Sequence, residues 1–316
     1  PREKKKYDKK YKVVDEIAKY MFPTGESKYQ RRKMYRNAIT KICKSLSVPE
    51  IYMSSKKWSE INFKNVPSVC LNRLSKAFLN EKVNGVNTDT EKGNRYPEDL
   101  DRVACRKKMI ENLTKGKINS KQLFPHEVVR KCMGHRGAKS ASSIDSLLCK
   151  VQWEGIRESV LKSLEETKND MKITMEVDAV DSHSKVTEKV DLGKLVPLVD
   201  VSGSMSGEPM EVAIALGILI SEIAQESFRD RVITFESNPR WHVLNPKHDI
   251  TQKVKSLQAA PWGGSTSIEK ALELIYQVVR ANKLSEEEVP DMIVFSDMQF
   301  DVARGGVYGY GQQCKK

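Results

Sequence analysis

Five consecutive apolar residues, Leu195-Val196-Pro197-Leu198-Val199, run directly into Asp200-Val201-Ser202-Gly203-Ser204. A short unbroken apolar run marks a strand buried on both faces, because each of its side chains must meet a hydrophobic layer. The pattern behind it predicts an apolar helix from Met210 to Ala224, a strand from Val232 to Phe235, a helix from Ser267 to Ala281 and a strand from Met292 to Phe295. Strands alternating with helices predict a parallel sheet covered on both sides. Such open sheets place their ligands at the carboxyl ends of the strands. The polar residues just behind each apolar run are therefore the ones to read for chemistry.

The first run ends in a carboxylate and two hydroxyls, Asp200, Ser202 and Ser204, with Gly203 expected to bend the backbone so that both hydroxyls face one point. The third ends in Ser296-Asp297, which brings a second carboxylate to the same edge. Between them lies Trp262-Gly263-Gly264-Ser265-Thr266-Ser267, a glycine-rich loop that offers a further hydroxyl at the start of a helix. Oxygen ligands of this kind suit Mg²⁺, which takes six oxygens at about 2.0–2.1 Å and keeps several waters. Asp-x-Ser-x-Ser by itself is a weak signal. It also describes a capping turn in which Ser204 or Ser206 satisfies amides at the next helix start.

The order of the parts raises the odds. Strand, Asp-x-Ser-x-Ser, helix, strand, Gly-Gly-Ser-Thr, helix, strand, Ser-Asp closely resembles the von Willebrand A domain, also called the integrin I-type domain, over residues 194–300. The resemblance implies a doubly wound, Rossmann-like fold and a metal-ion-dependent adhesion site at Asp200, Ser202, Ser204, Thr266 and Asp297. Ser265 is the fallback for Thr266 if the register is off by one. In that family the serines usually bind the metal directly, the threonine directly or through water, and the aspartates mainly through water. The resemblance thus implies bound Mg²⁺ (or Mn²⁺) with an open position that takes an Asp or Glu from a protein partner. The chain stops at Lys316, where a doubly wound domain normally has two or more strands to go, so this part reads as incomplete at its C-terminus. It likewise begins at Pro1 rather than Met, so the true start is expected upstream.

Residues 8–170 read differently, as helices with no convincing strand. Met34, Ala38, Ile42 and Leu46 recur at i+4 with Tyr35, Ile39 and Cys43 beside them, one apolar stripe on a long helix. A second helix is predicted from Pro67, with further helices near 98–115, 124–134 and 149–168. Ile173, Met175, Val177 and Ala179 alternate with polar residues and predict a strand, followed by a polar linker from Asp181 to Asp191. The expected organisation is an all-α, helical-repeat-like domain over 1–172, a strand and linker over 173–193, and the A-type domain over 194–316. Residues 1–190 hold 41 Lys and Arg against 25 Asp and Glu, whereas the remainder holds 13 against 17. The whole basic excess lies in the helical part, which points to a polyanionic partner there.

The segment YMSSKKWSEINFKNVPSVCLNRLSKAF, Tyr52 to Phe78, resembles the Trp…Ile-x-(Phe/Tyr)…Val-Pro-Ser…Lys-x-Phe region of TROVE modules, as do LFPHEVV (Leu123 to Val129) and Trp153 more loosely. TROVE modules occur in Ro-type RNA-binding proteins, ahead of a von Willebrand A domain. The match is closer still to an uncharacterised branch of plant and viral proteins with the same domain pair. The resemblance implies helical repeats that bind structured or misfolded small RNA. The shorter helical part and lysine-rich start depart from the closed ring of the Ro type. Phosphate contacts are expected from Arg31, Arg32, Lys33 and Arg36, from Arg106, Lys107 and Lys108, and from Arg130, Lys131 and Arg136. Tyr29, Tyr35, Trp58 and Phe63 lie among them as candidate stacking platforms, though Trp58 reads better as a core anchor. Each cluster taken singly also fits a solvated helix face.

Composition and missing motifs narrow the function. Hydrophobic residues at 39% and charged ones at 30% fit a globular chain, and no apolar run reaches the ~18 residues of a membrane span. The six cysteines are scattered without a C-x-x-C pair, so reduced thiols in a cytoplasmic or nuclear protein are expected. There is no Gly-x-x-x-x-Gly-Lys-(Ser/Thr) loop for nucleotide phosphates. Ser202 stands where a haloacid-dehalogenase-type enzyme would need a second aspartate, and Glu208 is the only nearby candidate general base. The expectation is a non-catalytic ribonucleoprotein component that holds RNA through its helices and a partner's carboxylate through Mg²⁺. The alternatives are a protein-only adaptor docking on a partner such as an ATPase and, last, a metal-dependent hydrolase. The oligomeric state is not legible.

Overall fold

The computed structural model describes residues 2–24, 27–81, 94–119, 123–133, 143–176, 191–235, 239–260 and 267–297. It is a mixed α/β molecule with a helical N-terminal region and a four-stranded C-terminal sheet. The helical region comprises α1 (Arg2–Met21), α2 (Lys28–Ser45), α3 (Pro49–Ser54), α4 (Ser68–Phe78), α5 (Leu100–Thr114), α6 (Pro125–Met133) and α7 (Ser143–Glu176). After it come β1 (Leu195–Asp200), α8 (Glu208–Ile223), β2 (Arg231–Phe235), β3 (Arg240–Val243), α9 (Ile250–Gln258), α10 (Ile268–Asn282) and β4 (Asp291–Phe295). No helix among the described residues is long and apolar enough to cross a membrane.

The sheet order is β3-β2-β1-β4, with β1 parallel to both of its neighbours. Pro197 is tolerated in this inner strand although it has no N–H to give, because the ladder to β2 begins only at Leu198. The expectation of a purely parallel sheet is corrected by β3, which pairs antiparallel with β2. The reason is the connection, since residues 236–239 are too few for the dozen-residue crossover that a parallel neighbour needs. The strand expected from residue 173 is corrected as well. α7 runs on as helix to Glu176, and Val177, Ala179 and most of the expected linker lie outside the described residues. Two alternating apolar residues do not outweigh the propagation of a helix already nucleated, where each added residue gains a hydrogen bond.

Alternation along β1 sends its side chains to two layers. Val196 and Leu198 meet Ile233, Ala271 and Ile275 under α10, while Val199 and Val201 meet α8 and α9. The latter core does not stop at the sheet's own helices. Val128, Val129 and Cys132 of α6 and Trp153 and Ile156 of α7 are buried in the same cluster as Ile214 and Ile218 of α8. Gly217 lets α8 lie close on β1, for a Cβ there would meet Val199 Cγ2 at 2.4 Å. A separate core gathers α4, α5 and the start of α7 around Phe63, Phe78, Leu71, Met109 and Leu148.

Buried polar groups tie the two regions together. Trp153 Nε1 donates to Glu222 at 2.9 Å, and Lys253 Nζ donates to Glu222 at 2.8 Å and to Asp230 at 3.2 Å. The side chains of Lys253 and Glu222 are 5% and 6% exposed, so these charges satisfy one another where water cannot. Cys43, Cys70, Cys105, Cys132 and Cys149 are free thiols; Cys314 lies outside the described residues. Burial pushes the Cys105 thiol up to about 12, which leaves it inert as a nucleophile.

Candidate functional site at the carboxyl edge of the sheet

Register places the chemistry. Asp200 is the last residue of β1 and pairs with Phe235, while Val199 pairs with Phe295, the last residue of β4. Ser296 and Asp297 therefore follow β4 at the same edge where Ser202 and Ser204 follow β1. Asp200 is fully buried, and both of its oxygens accept hydrogen bonds, Oδ1 from the Ser202 amide at 2.8 Å and Oδ2 from the Ser296 hydroxyl at 2.6 Å. The Ser202 and Ser204 hydroxyl oxygens lie 3.0 Å apart. Asp200, Ser202, Ser204 and Ser296 are thus one hydrogen-bonded constellation, with Asp297 next in the chain. Asp297 is exposed and lines a groove of about 580 Å³ together with Glu208, Met205 and Phe295. Thr266 and the neighbouring Ser265 lie outside the described residues. Among the described residues no three His, Cys, Asp or Glu side chains converge.

The local backbone differs from expectation in one respect. Gly203 has no positive φ and opens a 3₁₀ turn from Gly203 to Met205, which is what folds the two hydroxyls together. The glycine required by geometry is Gly207, at φ +98° immediately before α8. α8 then starts with Glu208, and the helical region reaches this edge through it. Arg130 of α6 donates from Nε to Glu211 at 2.5 Å and approaches Glu208 at 3.5 Å, as does His126 Nε2. Sequence reading missed this contact, because α6 and α8 are some eighty residues apart in the chain.

The ten basic residues expected to meet phosphate are spread over three different situations. Lys33 and Arg36 are exposed on α2, and Arg31 is half-buried there. Arg32 binds Asp15 of α1 through both carboxylate oxygens, with Lys28 at 2.8 Å. The Arg32 hydrogen bond and the Lys28 ammonium hold the Asp15 carboxyl well below the usual carboxylate range. Arg106 is 4% exposed and donates to the Leu79 carbonyl at 2.7 Å, so it joins α5 to the end of α4 and does not face solvent. Lys107 is exposed, and Lys108 donates to the Ser59 carbonyl at 2.8 Å. Arg130 is engaged as above, and Lys131 bonds Ser75 Oγ at 3.1 Å and Asp145 at 3.2 Å. Arg136 lies outside the described residues.

Of the aromatic candidates, Phe63 is fully buried, which excludes it as a stacking platform, and Trp58 is the core anchor its sequence context suggested. Arg102 covers the Trp58 ring at 3.9 Å, and Asp101 caps the turn by accepting from the Trp58 and Ser59 amides at 2.6 and 2.9 Å. Burial pushes the Asp101 carboxyl up, but its bonds to Ser59 and Trp58 outweigh that and hold it below its ordinary value. Tyr29 is exposed and Tyr35 half-buried, both on α2.

Two family models match. Residues 195–314 match a domain of unknown function, DUF7788, and residues 1–164 match another, DUF2828. Neither model is described as a von Willebrand A or TROVE type. The chain is similar to the uncharacterized protein L728 of Acanthamoeba polyphaga mimivirus, 32% identical over 306 residues. That alignment covers 95% of this chain and 45% of the relative, so the chain spans less than half the length of the curated protein it matches. No solved structure matches. With its model spanning the N-terminal helices through most of α7, the chain belongs to the family described as domain of unknown function DUF2828.

Proposed function

We propose that this protein is a non-catalytic RNA-binding ribonucleoprotein component, with RNA held by the basic helices and a protein partner's carboxylate held by a metal ion at the β1–β4 edge. The observation that carries the metal half is the 3.0 Å separation of the Ser202 and Ser204 hydroxyls beside a buried carboxylate. Neighbouring ligands of an octahedral ion with bonds of 2.0–2.1 Å stand about 2.9 Å apart. The two hydroxyls therefore already have the spacing of adjacent Mg²⁺ ligands. Asp200 has both oxygens engaged, which suits a role through water, and Asp297 and Thr266 would complete the set expected of a von Willebrand A adhesion site. Hydroxyl-rich ligation leaves the ion with much of its charge, so it attracts an external Asp or Glu. The RNA half rests on the excess of 41 cations over 25 acids in residues 1–190.

Manganese uptake followed by paramagnetic resonance tests the metal half. The intact chain should bind Mn²⁺, with Mg²⁺ competing, and the double variant Asp200→Ala, Ser202→Ala should lose at least tenfold in affinity. Unchanged uptake by that variant would remove the site. If the intact chain holds no RNA even at low salt, the protein-only adaptor takes the place of the ribonucleoprotein.

A further inference from the structure

The basic excess is concentrated in one hairpin of helices. α1 and α2 carry 8 and 7 Lys and Arg against 4 and 0 Asp and Glu, or +11 of the chain's +12. No residue of α2 is buried, and no described side chain of either helix belongs to any of the three hydrophobic clusters. The pair holds to itself, through Ala18, which is 1% exposed, and through Asp15, which gathers Lys28 and Arg32. A helix that carries seven cations and no acid and has no buried residue needs another reason for its composition.

The arrangement of charge says what that reason is. Consecutive helical residues stand about 100° apart, so Arg36, Lys33 and Lys41, all exposed on α2, span roughly 140° of its circumference. A cleft of about 290 Å³ between the two helices adds Lys12, Lys19 and Lys28 around Asp15 and Glu16. A flat lipid surface meets one face of a helix pair. A flexible polymer with charge along its backbone can meet several faces at once. At the closed end of the hairpin, just beyond Lys19 and Lys28, Tyr20 and Tyr29 are 89% and 75% exposed. Aromatic rings beside cations are how single-stranded nucleic acid is held without regard to sequence, the bases stacking while the phosphates pair. Val13, Ile17 and Met21 on α1 and Met34 and Ile42 on α2 are also exposed, but Lys and Arg outnumber Asp and Glu by 15 to 4 along the same two helices.

We infer that the α1–α2 hairpin is the RNA-binding element and that it takes a single-stranded segment, with phosphates on Lys12, Lys19, Lys33 and Arg36 and bases on Tyr20 and Tyr29. This rests on the ribonucleoprotein reading and narrows it to one part of the helical region. The metal edge takes no part in it.

Fluorescence anisotropy with a labelled 20-nucleotide single-stranded RNA, using the full 316-residue chain, tests the inference. The variant Lys12→Glu, Lys19→Glu, Lys33→Glu, Arg36→Glu should weaken binding at least tenfold in about 0.1 M salt. It should also flatten the slope of log affinity against log salt by up to about 3, since each single-strand phosphate contact contributes about 0.7. The variant Tyr20→Ala, Tyr29→Ala should weaken binding about fivefold or more with the slope unchanged. All six positions lie outside the cores, and an unchanged melting temperature checks that both variants are folded. If both bind RNA as the original chain does, the hairpin is not the site, and the ribonucleoprotein reading survives with the contact elsewhere. If the original chain binds no RNA, that reading falls and takes the inference with it. Anionic phosphatidylserine vesicles that bind the original chain more tightly than RNA, and lose it in the same variants, would make the hairpin a membrane-surface element and overturn the inference.

Discussion

Helices α2 and α8 are 18 and 16 residues long, and they are stabilised by opposite means. α8 buries nine residues between β1 and the helices of the N-terminal region, and its Gly217 lets it come within contact of Val199. α2 buries none, carries seven cations and no acid, and packs against its hairpin partner α1. Both show apolar residues at helical spacing. Of the stripe Met34, Ala38, Ile42 and Leu46 all but Ala38 are nevertheless exposed, while Ala38 and the row beside it, Tyr35, Ile39 and Cys43, are half-covered. Periodicity thus tells which face of a helix is apolar and leaves open whether anything covers that face.

Removing a lysine from each region separates the two most sharply. Lys253→Met leaves Glu222 and Asp230 without their buried cation and should cost about 3–5 kcal/mol, the range for breaking one partner out of a buried pair. Lys33→Met on α2 should change stability by less than about 0.5 kcal/mol. Equilibrium urea unfolding of both variants measures the difference. Equal costs would mean that α2 belongs to a cooperative core after all.

Aliphatic truncation makes the same comparison with smaller numbers. Ile218→Ala in α8, where the side chain is fully buried, should cost about 2–5 kcal/mol. Ile42→Ala in α2, where the side chain is 49% exposed, should cost under about 0.5 kcal/mol. A large loss for Ile42→Ala in the full chain would show that its face is covered in solution.

The parts of the fold readable from sequence include the strands, whose pattern is fixed by burial on both sides, and the longer helices with an apolar face. The strands expected at 195–199, 232–235 and 292–295 and the helix expected near 267–281 are present within a residue, and the helix expected near 210–224 within two. What was missed is amphipathic and short. β3 (Arg240–Val243) carries a charged residue and a histidine, and it is an edge strand with exposed ends. α9 is nine residues, although Asp249 and Gln252 form a capping box that was there to be read. The convergence of Asp200, Ser202 and Ser204 was legible because all three lie within five residues. Ser296 as the hydroxyl that holds Asp200 was not, since it depends on the register of β4 against β1. Among the basic residues, sequence distinguished nothing between exposed Lys107 and buried Arg106, one position apart on α5, because facing is set by the packing of α4 and α5.

The smallest effect asks whether the overlooked β3–α9 corner belongs with the core or with the solvated hairpin. His242 of β3 lies 2.9 Å from the Ser256 hydroxyl of α9, and burial lowers its pKa below the ordinary histidine value. A base whose folded-state pKa is depressed stays neutral in the folded chain while the unfolded chain takes up a proton. Its contribution to stability is therefore complete above about pH 6.5 and declines as pH falls from there toward the lower folded value. Because the ring is only about half-buried, the loss should be smaller than that of either core variant, Lys253→Met or Ile218→Ala. The chain has other histidines, His126 beside Glu208 among them, so acidifying the original chain alone does not isolate the effect of His242. Comparing it with His242→Gln does, since glutamine can still bond Ser256 but does not titrate. Urea unfolding at pH 7.5 and 5.5 should show a smaller loss on acidification for His242→Gln than for the original chain. Identical losses would mean that the corner opens to water before the core unfolds, and would place β3 and α9 with the hairpin, on the loosely held side of the molecule.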